Sequence, residues 1–178
     1  MIAHSLLLAI VARMRQIKGL GDGVLERVSP AQLFHRTDDE ANSIAIVVQH
    51  LHGNMLSRWT NFLTEDGDKP WRKRDAEFDP VTETPQQVRQ LWEDGWKLTL
   101  DTLEGLQVGD VTREVTIRGE PMQVLDALIR QVGHYGYHVG QMVTLARAQV
   151  GKDWKTLSIA RGQSKDYKPK PRAPGLKE

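Results

Sequence analysis

The sequence predicts an all-α fold: a four-helix bundle with a long crossover loop and a small β-hairpin. Three observations predict it. Apolar residues recur at three- and four-residue intervals along four long stretches, as expected of helices with one buried face. The second and third stretches are separated by a charged, irregular segment from Thr64 to Pro80, a crossover connection of the kind some bundles carry. Strand signals are confined to Val111–Ile117, where a short alternation precedes the turn residues Arg118, Gly119 and Glu120 and predicts a single hairpin.

The first helix rests on Leu7, Ile10, Val11, Met14 and Ile17. Gly19, Gly21 and Gly23 follow, each costing about 1 kcal/mol against alanine in a helix interior. A frayed or bent end is therefore expected before the pattern resumes at Val24 and Leu25. Ser29-Pro30 starts a short turn or helix over Ala31–Phe34, and Thr37 to Glu40 forms an acidic loop. Asn42 is the expected N-cap of the second long helix, which reaches Leu63. Its apolar face is Ile44, Val48, Leu51, Met55, Trp59 and Phe62, while its flank of Ser43, His50, Asn54, Ser57 and Asn61 is polar, small and uncharged. A solvated flank would carry Lys and Glu, so this one is expected to wall a polar cavity or a subunit contact.

In the crossover segment Trp71 is the expected aromatic anchor, and Arg72 and Arg74 read as a solvated charge run, with a lid over the site as the alternative. Thr84-Pro85-Gln86-Gln87 is a capping box with proline at the first helical position. It opens a helix to Leu106 with Val88, Leu91, Trp92, Trp96 and Leu103 inward. Gly109 ends that region. After the hairpin, Pro121 leads into the fourth long helix, which ends near Gly151. Gly133, Gly136 and Gly140 lower its propensity, so they are expected to admit a neighbouring helix or a second subunit. Residues 1–160 form one domain, and 161–178, which includes KPKPRAP, is a basic tail expected to be poorly ordered.

A chain of 178 residues with 39% hydrophobic and 26% charged content suits one domain with a sizeable core. Its net charge of +1 gives no broad electrostatic case for nucleic acid or an anionic membrane. The chain has no cysteine. That excludes disulfides, thiolate metal sites and a cysteine nucleophile, leaving histidine and carboxylates as the strong metal ligands. Leu6–Ala12 is too short to span a bilayer. Arg13 and Arg15 follow it instead of preceding it, the wrong order for a secretion signal. A cytoplasmic location is expected.

His134 and His138 lie four apart in QVGHYGYHVGQMVTLA, a stretch from Gln131 to Ala146 without a charged residue. Residues so spaced stack on one helical face about 6 Å apart along the axis and can grip one metal ion. Burying two imidazoles otherwise demands a partner for each ring nitrogen. His4 and His35 read as surface residues. A third ligand is available from the second helix, but His50 and His52 are two residues apart, so only one can face the pair. Apolar periodicity favours His52, and the polar flank favours His50.

The stretches NSIAIVVQHLHGNMLSRWTNFLTEDGDKPWRKRDAEF, residues 42–78, and IRGEPMQVLDALIRQVGHYGYHVGQMVTLAR, residues 117–147, resemble a domain-of-unknown-function branch of the DinB/YfiT-like superfamily. The resemblance extends over residues 10–165 and includes WKTLSIARGQS. It implies a four-helix bundle, often a homodimer, with one histidine of the second helix joining a His-x-x-x-His pair on the fourth. By motif the second-helix ligand precedes Leu and a small residue, as in HLHG, which selects His50. The implied ligand set is His50, His134 and His138.

Three neutral nitrogens leave a divalent ion with open positions, as in catalytic sites. Imidazole suits zinc, nickel, copper and iron, and zinc or nickel is the expected ion. Hydrolysis or transfer of a small thiol follows, the latter by analogy with some superfamily members. Asn54, one turn beyond His50, is a candidate for orienting a water or substrate oxygen. Arg58 is a candidate for binding an anionic substrate, or for pairing with Asp75 or Glu77. Gln141 is the expected hydrogen-bond partner of a ligand. No carboxylate stands at a helix position that must face the histidines, so no general base is assigned. The expected partners are a small-molecule substrate or thiol and a second copy of the chain. The alternatives are a non-catalytic module binding metal or a ligand, and a metal-free bundle with internally satisfied histidines.

Overall fold

The computed structural model describes residues 2–168. Those residues are mostly helical, with five α-helices and one two-stranded antiparallel hairpin. In chain order they are α1 (Ile2–Arg27), α2 (Pro30–Phe34), α3 (Ile44–Trp59), α4 (Pro85–Gly105), β1 (Glu114–Ile117), β2 (Glu120–Gln123) and α5 (Val124–Val150). The long helices close a ring of neighbours: α3 packs on α4 and α5, and α1 packs on the same two. Met14, Ile44, Leu51, Met55, Trp59, Trp92, Trp96, Leu128, Tyr135 and Met142 fill the core between them. No helix among the described residues is long and apolar enough to cross a membrane.

The first helix differs from expectation. It runs unbroken from Ile2 to Arg27 through all three glycines. Gly21 has no side chain because the Trp92 ring of α4 occupies that space, and Gly23 makes the same allowance for Leu157. Packing against these two side chains offsets the weak helix propensity, so the glycines admit contacts instead of ending the helix.

Caps set the other boundaries. Ser29 and Thr84 each form a full capping box, with proline at the start of α2 and of α4. The cap of α3 is Ser43, not Asn42: its hydroxyl accepts from the Ile46 N–H at 3.1 Å. That helix stops at Trp59, short of Leu63, because Asn61 turns the chain at φ 49°. The hairpin is in the expected place, turned by Arg118 and Gly119, both at positive φ. Pro121 lies within β2, and α5 begins at Val124.

The crossover segment is held down by hydrogen bonds instead of by an aromatic anchor. Trp71 is 54% exposed. Ser57 of α3 donates to the Gly67 carbonyl at 2.9 Å and accepts from the Lys69 N–H. Gln49 of α3 donates its amide to the carbonyls of Glu77 (2.9 Å) and Asp79 (2.8 Å). Asp66 accepts from the Arg118 and Gly119 N–H groups, which ties the hairpin turn to the same segment. A 3-10 turn, Asp75–Phe78, is thereby pressed against α3.

Among the described residues, no neighbouring backbone approaches the α5 glycines. Nothing lies within 4 Å of a Cβ built at Gly133 or Gly140, and only an Ile17 methyl approaches Gly136. Trp154 and Leu157 pack on the core. The segment from 169 onward, with most of KPKPRAP, lies outside the described residues.

Candidate metal centre

α3 and α5 bring three imidazoles together. His50 comes from α3, with His134 and His138 one turn apart on α5. One nitrogen from each ring lies within 4.8 Å of the others. Ring centroids are 4.7 Å apart for His134–His138 and His50–His138, and 5.6 Å for His50–His134. Among the described residues no carboxylate joins this group. His52 is directed elsewhere, against Gly95 of α4. His4 and His35 are exposed.

Two of the rings are oriented through their far nitrogens. His50 Nδ1 lies 2.8 Å from Glu77 Oε2. Burial works to raise the Glu77 pKa, but its bonds to Arg72 and His50 hold it below the ordinary carboxylate range. An ionised carboxylate only accepts, so Nδ1 carries the proton of this bond. His138 Nδ1 similarly lies 2.7 Å from Gln141 Oε1. His134 is the exception: its Nδ1 is buried with no hydrogen-bond partner. Burial, followed by the neighbouring His138 and His50, pushes its pKa down to about 3, and burial also lowers that of His138. Both α5 rings are therefore neutral donors at physiological pH.

Glu77 escaped the sequence reading, which placed no carboxylate at the histidines. It belongs to an irregular segment whose periodicity says nothing about direction. Arg72, far from being a solvated charge, is buried and grips Glu77 through two bonds of 2.7 and 2.8 Å. Gly53, the small residue of HLHG, leaves the space that the Glu77 carboxyl fills. Phe78 stacks on the His50 ring at 4.7 Å. The Gln49 clamp on the backbone of residues 77–79 thus positions both contacts to His50.

The remaining candidates are placed unevenly. Asn54 is buried, and its Oδ1 accepts from Gln131 (2.9 Å) and from the Tyr135 hydroxyl (3.2 Å). Tyr135 in turn accepts from the Trp59 indole at 2.9 Å, and burial pushes its pKa up to about 12. The Asn54 oxygen is thus committed to this network. Arg58 pairs with neither Asp75 nor Glu77, because Arg72 occupies Glu77 and Asp75 is fully exposed. A cavity of about 180 Å³ opens beside His50 and His134, with Asn54, Arg58 and Gln131 in its wall. Of the polar flank, His50 and Asn54 line this cavity, while Ser43 caps α3 and Ser57 bonds the crossover segment.

Three histidines that bring one nitrogen each within 4.8 Å, two of them oriented by Glu77 and Gln141, beside a polar cavity on a mostly helical scaffold, define a protein with a possible histidine metal site. The chain belongs to the family described as "Protein of unknown function (DUF1572)", whose model matches residues 1–163. No curated protein matches it.

Proposed function

We propose that the protein is a metalloenzyme built on a DinB/YfiT-like four-helix bundle formed by α1, α3, α4 and α5. One divalent ion, zinc or nickel, is held by His50, His134 and His138, and the reaction is hydrolysis or the transfer of a small thiol. The observation that carries this reading is the convergence of three donor nitrogens within 4.8 Å. The orphaned Nδ1 of His134 agrees with it, since a buried polar atom without a protein partner calls for another one. So does the donor set, three imidazoles without a fourth protein ligand, which suits open sites more than structural ones.

When bound, the ion would supply a Lewis-acidic centre able to acidify a water or a thiol near neutral pH. The chain's own residues do the rest. Glu77 and Gln141 hold His50 and His138 in one tautomer and orientation. Phe78 covers one face of His50 and limits water there. The cavity admits substrate beside His50 and His134. We further propose that the protein is cytoplasmic and works as a homodimer.

Metal analysis of the purified protein beside His138→Ala tests the centre. About one ion per chain is expected in the wild type and a large loss in the variant. Because a ligand at 100 times its dissociation constant adds about 2.7 kcal/mol, a chelator is also expected to lower the melting temperature of the wild type but not of the variant. Equal metal content in the two proteins would refute the ligand assignment.

A further inference from the structure

Five arginines surround the cavity beside the histidines: Arg58, Arg72, Arg74, Arg118 and Arg130, with no acidic side chain in its wall. Three of them have acidic partners outside it. Arg72 binds Glu77, Arg118 lies 3.0 Å from Asp68, and Arg74 lies 3.6 Å from the exposed Asp75. Arg58 and Arg130 have no ion pair among the described residues.

Arg58 is the informative member. It is 4% exposed, yet its Nε and one terminal nitrogen are buried without a hydrogen-bond partner. Gly67 lacks the Cβ that would collide with this guanidinium, so the fold makes room for the group. Burial lowers its pKa and Arg130 and Arg72 add repulsion, while Asp68 and Asp66 attract it without forming an ion pair. A guanidinium nonetheless stays charged in proteins. Folding has placed in the cavity wall a buried cation two of whose nitrogens lack acceptors, and an unsatisfied buried charge is costly. An anion entering the cavity would supply the missing acceptors.

We propose that this cavity is an oxyanion subsite in which Arg58 and Arg130 together receive the phosphate or carboxylate group of a small anionic substrate. The planar fork of arginine suits both groups. A volume of about 180 Å³ is below the range of roughly 300 Å³ and upward found for drug-sized ligands. The cavity therefore takes a headgroup and a few further atoms. Because His50 and His134 share its wall, a molecule anchored by its anion presents its remaining atoms to the three histidines. What that substrate undergoes rests on the metal reading above; the binding of the anion does not.

Calorimetric titration with inorganic phosphate, and separately with malonate, tests the subsite in metal-loaded and chelator-stripped full-length protein. Saturable binding of at least one anion is expected in both forms, and the tighter binder identifies the headgroup. Arg58→Met removes a buried charge while keeping an unbranched apolar stem, so it is expected to melt no lower than wild type. It should nevertheless bind the anion about tenfold or more weakly. Arg130→Gln, an exposed position, is expected to weaken binding without changing the fold. Absence of saturable binding, or equal binding by wild type and both variants, would overturn the proposal. So would an Arg58→Met protein that melts lower while Arg130→Gln binds normally, since Arg58 would then be structural. Metal content measured on the same samples separates the two readings. Metal-free protein with arginine-dependent binding refutes only the metal centre, and metal-loaded protein without it refutes only the subsite.

Discussion

At the scale of single residues, Glu77 matters most after the histidines themselves. It fixes the His50 tautomer through a 2.8 Å bond, and Arg72 fixes Glu77 in turn. Replacing such a carboxylate partner of a metal ligand typically costs 10- to 100-fold in metal affinity. Glu77→Gln is expected to weaken metal binding by about that factor, read by competition with a chromogenic chelator, while its far-ultraviolet circular dichroism stays that of wild type. Unchanged affinity would reduce Glu77 to a loop anchor. His134 and His138 were legible in the sequence because two imidazoles one turn apart in a charge-free stretch of helix, once turned inward, need partners that the helix itself does not supply. His50 was separated from His52 by resemblance and not by periodicity. Glu77, Gln49 and Arg72 were not legible. Their directions are set by hydrogen bonds between α3 and an irregular segment, and no local pattern encodes those.

Among the elements, α1 and the crossover segment show where local rules give way to packing. Glycine propensity predicts a break in α1, but the absent side chain of Gly21 is the seat of Trp92, whose indole donates to Asp22 at 2.7 Å. The contact that justifies Gly21 comes from a helix some seventy positions later in the chain. Gly21→Ala is expected to raise helix propensity yet lower stability by about 1–3 kcal/mol, because overpacking a filled site forces neighbours apart. A urea melt measures it, and an unchanged midpoint would show that the ring can move aside. The capping box of α4 and the Ser29-Pro30 start of α2 were legible, since the partners of each lie within four residues of one another. The end of α3 was not, because apolar Phe62 extends the pattern past the turn at Asn61. Phe62 is buried all the same.

For the whole molecule, the open question of assembly centres on α5. Ile129 (57% exposed), Tyr137 (65% exposed), Gly133, Gly136 and Gly140 share one outward region of that helix. Two of its three glycines have open space where a Cβ would stand. A second copy approaching this face would bury the apolar side chains and use the glycines for close contact. Sedimentation equilibrium is expected to give the dimer mass, and Tyr137→Lys to shift it toward the monomer. A monomer at every concentration would dismiss the dimer and leave these glycines without a packing role.

Periodicity, caps and turn residues are properties of neighbours in sequence, so the chain alone determined its helices, its hairpin and the candidate pair His134 and His138. Resemblance selected His50, but only tertiary structure decided that its ring meets the pair, that Glu77 orients it, and that five arginines face one cavity. These facts depend on distances between residues far apart in the chain, which the folded backbone sets and no short window of sequence contains.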